Sequence, residues 1–267
     1  MNRPNRLAAS FKLPELTYRV RKVWRRNFDV FMKTYKVNFF PPLLEPIFYL
    51  LAMGLGLGGF VSATQLGYSS YIKFIAPALV AISIMYSSFF ECTYGSFVRM
   101  YYQKTFDAIL ATPITIDDLI AGELMWGSTK SLVYGTIIII VISLFGLVAS
   151  PLVIGVIPIL FVSGLIFSEI SLIFVAKVPG IDSFNYFYTL LMTPMFLFSG
   201  IFFPVNALPP VIAKIAYFTP LYHLVNVCRS FAAGRFSAAG GDIAWLLVVA
   251  ALLSVYPFRL MRKRIIK

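Results

Sequence analysis

Six long apolar runs, nearly free of charge, constrain this chain more than any other feature: residues 40–61, 74–96, 122–147, 152–175, 184–203 and 243–258. A helix needs about 20 apolar residues to cross a hydrocarbon core about 30 Å thick, and each run meets that length approximately. Backbone amides in lipid must bond within their own segment, so such runs cross as helices. The expected fold is an all-α integral membrane protein with six transmembrane helices. Composition agrees, since 59% of residues are hydrophobic and 13% are charged, against about 45–50% and about 25% in soluble domains.

The net charge of +12 is concentrated at the ends. Ten of the 23 Lys and Arg residues precede Asn38, and Arg259, Arg262, Lys263, Arg264 and Lys267 close the chain. These cations flank apolar spans, which suits anionic lipid headgroups and not nucleic acid. Short loops rich in Lys and Arg stay in the cytoplasm. With the N-terminus inside, Arg99, Lys104 and Lys177 are also inside, and only Lys73, Lys214, Arg229 and Arg235 lie outside. Both termini are therefore expected in the cytoplasm. No cleavable signal peptide is expected, because a long basic-rich stretch precedes the first apolar run.

The chain divides into a basic arm at 1–38, a membrane domain at 39–260 and a basic tail at 261–267. Within 14–36, Val20, Val23, Trp24, Phe28, Phe31 and Tyr35 recur at helical steps, with Arg25 and Arg26 among the cations between them. The pattern predicts an N-terminal amphipathic interfacial helix; the plainer alternative is a disordered basic tail. The inner loop at 99–121 contains Thr105, Phe106, Asp107, Ile109, Leu110 and Thr112, with Phe106, Ile109 and Leu110 on one helical face. Pro113 ends that turn, and Asp117 and Asp118 are expected to cap a second short helix. An exposed apolar helical face requires a partner surface. The segment at 204–242 is broken by Pro209, Pro210 and Pro220. It predicts outer re-entrant helices, in two short pieces at 211–218 and 221–231, before the last span.

Catalytic chemistry finds little support. The stretch from Gly122 to Ser131 misses the phosphate-binding spacing G-x-x-x-x-G-K-S/T, and it lies inside an apolar run. Gly54 and Gly58 form a G-x-x-x-G that suits close helix packing. Cys92 and Cys228 form no metal or disulfide pattern. His223, the single histidine, has no acidic or histidine neighbour in sequence and reads as a packed outer-face residue. Neither an enzyme nor a bound cofactor is expected. Glu45, Glu91, Lys130 and Glu169 lie within spans at similar inner-leaflet depth, where ionisable groups are costly and face the bundle interior. They suggest a polar vestibule for a headgroup, with Lys130 paired to a carboxylate; a structural ion cluster or snorkelling side chains is the other reading.

Particular residues resemble the permease subunits of type-2 ABC exporters, in the NodJ branch. They are Glu45-Pro46-Ile47-Phe48-Tyr49-Leu50 with Gly54 to Gly58; Phe90-Glu91-Cys92-Thr93-Tyr94-Gly95-Ser96-Phe97 with Arg99-Met100; and Thr105 to Leu110 leading to Gly122-Glu123-Leu124 and Thr129-Lys130. Thr193-Pro194-Met195, Phe198-Ser199-Gly200, Phe203-Pro204-Val205 and Pro220-Leu221-Tyr222-His223 complete the set. The resemblance implies a homodimer in the bacterial inner membrane with two copies of a separate ABC ATPase subunit, which binds ATP and Mg. It implies that residues 105–112 form the coupling helix and that the helix bearing Trp24, Arg25, Arg26 and Phe28 also touches the ATPase. The cargo it implies is amphipathic: a lipo-oligosaccharide, glycolipid, polysaccharide or drug. Two other classes stay open. One is an ion- or proton-coupled carrier using Glu45, Glu91 and Glu169; the other is a membrane-embedded transferase, for which no clustered acid or histidine is found.

Overall fold

Thr115 shows how the sequence sets its helices. Its hydroxyl accepts from the Asp118 amide while the Asp118 carboxylate accepts from the Thr115 amide, a reciprocal cap that starts a helix at the next residue. The helix that follows, α5 (Ile116–Leu144), is continuous over 29 residues. Asp117 and Asp118 therefore begin the third apolar helix itself, and not the short separate helix that the sequence predicts.

The computed structural model describes residues 14–56, 58 and 69–266; the side chains of residues 38–43, 45, 46 and 55 lie outside that description, and with them the Glu45 carboxylate. Among the described residues all regular structure is helical. The chain begins with α1 (Val20–Gly56) and α2 (Tyr71–Phe90). A π-helical turn at Glu91–Gly95 carries α2 into α3 (Ser96–Tyr101). The short α4 (Thr105–Leu110) precedes α5, and α6 (Ile157–Val175) follows it. Next come α7 (Phe184–Phe187), a second π turn at Tyr188–Met192, and α8 (Thr193–Phe198). The chain closes through α9 (Pro210–Tyr217), α10 (Pro220–Ala232), α11 (Gly240–Leu253) and α12 (Val255–Ile265).

Four helical stretches are long and apolar enough to cross a membrane: Tyr71–Tyr101, Ile116–Leu144, Pro151–Val175 and Phe236–Ile265. The pair α9 and α10, bent by 81° at Pro220, brings the number to five if it is counted as one broken span. The two pieces that the prolines predict are thus present as separate helices. The fifth apolar run, at 184–203, is helical only over 184–198, through a π turn, because α8 ends before Gly200, which adopts φ +82°, a conformation open to glycine at little cost.

The amphipathic stretch differs from expectation in a second way. It is the first half of α1 and runs without a break into the first apolar run. At about 1.5 Å per residue α1 is about 55 Å long. Its aromatic stripe packs on α5 and so is not left to the lipid. The Trp24 indole donates to Thr129 Oγ1 at 3.0 Å, and Phe28 and Phe31 set their rings edge-on against Trp126. Gly122 admits this approach, since a Cβ there would collide with Val23. Arg25 stays on the solvent side, 4.0 Å from Asp29.

The buried apolar side chains form two clusters. One runs through the length of the bundle from Tyr71 to Phe89 and includes Ile138, Leu160 and Leu221. The other gathers at the end nearest the termini around Val23, Phe97, Phe106, Leu119, Phe184 and Met261.

Candidate functional site

Where the two apolar clusters meet, four charges are buried together. Glu91 opens the π turn and Arg99 lies on α3, so the extra residue in that turn sets how these two side chains face each other. Arg99 Nη1 donates to Glu91 Oε1 at 2.7 Å, and Arg99 Nη2 to Glu123 Oε2 at 2.5 Å. Lys130 Nζ, two turns above Glu123 on α5, donates to Glu91 Oε2 at 2.7 Å. Asn27 Nδ2 and Ser96 Oγ, each at 2.7 Å, complete the shell of Glu123. Isolated charges could not be held in such a place; these are tolerated because every carboxylate oxygen faces a donor. Gly95 leaves room for the arrangement, because a Cβ there would lie 3.1 Å from Glu91 Oε1 and 3.3 Å from Arg99 Nη1.

The cluster forms the floor of a cleft of about 370 Å³ between α1, the π turn with α3, and α5. Arg26, Thr34, Gln103 and Lys130 line it together with the Phe31, Tyr94 and Trp126 rings. Arg26, Arg99 and Lys130 face Glu91 and Glu123, which leaves one positive charge in excess. The Lys130 ammonium also lies 5.9 Å from the Phe31 and Tyr134 ring centres. The pairing of Lys130 with a carboxylate, expected from sequence, is present and its partner is Glu91. Glu169 is 1% exposed, and among the described residues neither a hydrogen bond nor an ion pair joins it to the cluster, and its Oε2 has no hydrogen-bond partner. Glu45 lies outside the described side chains.

Sequence reasoning missed Glu123 and Arg99. Both fall at the edges of apolar runs, and Arg99 counts there as a loop cation. The signal available was the spacing of Glu123 and Lys130, seven residues apart and so on one face of a helix.

The loop at 99–121 is arranged differently from expectation. Phe106 is 2% exposed and packs in the lower core with Phe97 and Leu119. It cannot be part of an exposed apolar face; it anchors α4 to the bundle. Ile109 and Leu110 are half-buried beside it, and the exposed side carries Asp107, Ala108, Ala111 and Thr112. The periodicity placed these residues on the correct faces, but the covering surface is the chain's own core. The turn from α3 into α4 passes through Lys104 at φ 54°, the single non-glycine residue with positive φ among those described, which gives a tight and mildly strained link. Thr105 Oγ1 lies 3.5 Å from Arg26 Nη2, so α4 touches the cleft wall.

Around this loop the first described residues and the last helix are tied together. Asp117 receives Arg262 through both carboxylate oxygens at 2.5 Å and the Glu15 amide at 3.0 Å. Asp118 receives the Thr17 amide at 2.7 Å and hydroxyl at 2.9 Å. Arg264 donates to the Val175 and Val178 carbonyls, at 2.5 and 2.6 Å, where α6 ends.

At the other end of the bundle His223 is 1% exposed. Its Nδ1 is 2.6 Å from Asp242 Oδ1, its Nε2 is 2.7 Å from the Tyr217 carbonyl, and it stacks on Trp245. An acidic partner absent from its sequence neighbourhood is thus supplied by the fold.

Comparison with known proteins accords with this architecture. Residues 18–231 match the family model described as ABC-2 type transporter. Nodulation protein J of Sinorhizobium fredii is 33% identical over 236 residues, covering 88% of each chain. Nodulation protein J of Bradyrhizobium diazoefficiens is 34% identical over 260 residues, 96% of this chain and 97% of that one. The inner membrane transport permease YadH of Escherichia coli is 23% identical over 213 residues, 79% of this chain and 81% of its own. This chain belongs to the ABC-2 type transporter family, as a membrane subunit similar to nodulation protein J.

Proposed function

We propose that this chain is the permease of an ATP-driven exporter that moves an amphipathic molecule from the cytoplasmic side of the bacterial inner membrane outward. In this reading α1 and the short helical segment from α7 to α8 complete six spans, both termini are cytoplasmic, and two copies pair with two ABC ATPase subunits. The observation that carries it is the direct link between a cytoplasmic helix and the buried charged cleft. Helix α4 is fixed by Phe106, continues from α3 through the Lys104 turn, and so adjoins Arg99 at the cleft floor. A push on the exposed side of α4 by a closing ATPase reaches the Arg99–Glu91–Lys130 chain without a flexible joint between.

The cleft is the vestibule of this mechanism. Its charged floor and aromatic walls suit an amphiphile whose polar group enters from the inner leaflet while its chains stay in lipid. A lipo-oligosaccharide is the cargo class that the NodJ-like sequence favours.

Two substitutions test this. Asp107→Arg and Ala108→Arg change the exposed side of α4 and leave its anchor intact. Either is expected to abolish co-purification with the ATPase subunit while the protein remains folded in detergent; retained binding refutes the coupling role. Phe106→Asp does not discriminate, because it places a charge in the core. Lys130→Met is expected to reduce transport at least tenfold with ATPase binding unchanged, and full transport removes the vestibule from the mechanism.

A proton-coupled carrier is the second reading, favoured by the buried Glu169 carboxyl, one oxygen of which has no partner among the described residues. It requires transport in vesicles lacking the ATPase and loss of that transport in Glu169→Gln.

A further inference from the structure

At the end of the bundle remote from the termini, where α2 begins and α5 turns toward α6, the sequence offers four cations: Lys73, Lys214, Arg229 and Arg235. Three of them, Lys73, Arg229 and Arg235, line a single recess of about 260 Å³. Among the described residues no Asp or Glu lines it. The sequence supplies none nearby: no acidic residue occurs between Glu45 and Glu91 or between Glu123 and Glu169, and Asp242 is the last one in the chain. Asp242 is held by His223 at 2.6 Å.

The recess has firm walls. Arg229 Nε and Nη2 donate to the Phe74 and Ile201 carbonyls at 3.2 and 3.1 Å, and its guanidinium lies 3.7 Å from the Phe74 ring centre. Across from it, the chain leaves α5 through Gly146 at φ +67°, and the Ala149 amide donates to the Ala232 carbonyl at 2.9 Å. Lys73 and Arg235 are exposed at the rim. Among the described residues this recess carries three cationic side chains and no carboxylate, and the local excess of positive charge favours an anion there. Two arginines and a lysine match the oxygens of a phosphate group, and the volume exceeds that of several waters.

We propose that this recess binds a phosphate-bearing anionic headgroup at the membrane surface. The phosphate belongs to a lipid of the adjoining leaflet or to a soluble phosphate compound. A zwitterionic choline lipid is disfavoured, because its ammonium meets three cations. Under the topology proposed above the recess opens on the outer face, although the site itself does not depend on that orientation.

The test uses the full-length protein in detergent, titrated with phosphatidylglycerol or phosphatidylcholine and observed by native mass spectrometry. The wild type is expected to retain phosphatidylglycerol preferentially. The double variant Lys73→Gln/Arg235→Gln is expected to lose roughly tenfold or more of that affinity, whereas Lys177→Gln/Lys214→Gln keeps it. Displacement of the lipid by inorganic phosphate assigns recognition to the phosphate group alone, and retention in its presence assigns it to the intact lipid; both support the site. Equal phosphatidylglycerol binding by the wild type and the Lys73/Arg235 double variant overturns it. Labelling of Lys73→Cys by an impermeant maleimide solely from the cytoplasmic side would overturn the topology and leave the binding site standing.

Discussion

Arg99 grips two carboxylates at once, and its side chain is 14% exposed. Arg99→Met leaves Glu123 with Asn27 and Ser96, and Glu91 with Lys130, as side-chain partners among the described residues. Removing one member of a buried charge network typically costs about 3–5 kcal/mol, most of it the burden of the charge left behind. Thermal unfolding in detergent is expected to show a loss of that size for Arg99→Met. Arg99→Lys should lie between Met and wild type, since it restores charge but not the planar fork. The exposed Arg25–Asp29 pair is the contrast. At 4.0 Å, with side chains 72% and 59% exposed, it contributes under about 0.5 kcal/mol, so Arg25→Met should leave the midpoint in place. Equal effects of Arg99→Met and Arg25→Met would show that the cluster does not hold the bundle.

At the scale of elements, α5 and α6 meet along small residues. A Cβ on Gly164 would collide with Ser131 Oγ and lie 3.2 Å from Ser128 Cα, and one on Gly127 would collide with Cys92 Sγ and Ser168 Oγ. Close approach of helices through small residues is the packing mode available where lipid is as apolar as the helix face. Gly164→Val is therefore expected to separate α5 from α6 and destabilise by about 1–3 kcal/mol. Gly241→Val, at a position with open space, is the control, and equal unfolding midpoints for the two would count against the seam. The helical character of the long runs was legible because lipid exposure is written locally in composition. The breaks were not. The π turns at Glu91–Gly95 and Tyr188–Met192 carry no proline or glycine pair that announces them, and they depend on what packs alongside. The aromatic stripe of Trp24, Phe28 and Phe31 was legible as a face, but nothing local distinguishes lipid from α5 as its cover. Phe106 shows the same ambiguity. Lys130 could be expected to seek a carboxylate, yet choosing Glu91 required knowing which faces of α2 and α5 meet.

Across the whole molecule, the first described residues, the base of α5 and the last helix converge on Asp117. Its carboxylate takes two bonds from Arg262 and one from the Glu15 amide, with the Asp117 side chain 11% exposed and the Arg262 side chain 17% exposed. Arg264, one residue beyond the next, closes the α6 end and contacts Tyr101 OH at 3.0 Å. The last helix is thereby fastened to the same segment that leads through α3 to the cleft floor. Asp117→Asn keeps the shape of the side chain but removes the charge from the Arg262 fork. Hydrogen bonds to charged groups contribute about 1.5–3 kcal/mol each way of counting, so a local loss of about 2 kcal/mol is expected, roughly a 30-fold rise in the opened population of α12. Because opening precedes cleavage, trypsin should cut after Arg262, Lys263 and Arg264 faster by about that factor. The rest of the bundle is still held by the Arg99 cluster and the α5–α6 seam, so cleavage elsewhere should be unchanged. A uniform acceleration at all sites would mean that Asp117 supports the global fold; no acceleration at all would mean that α12 is held without it.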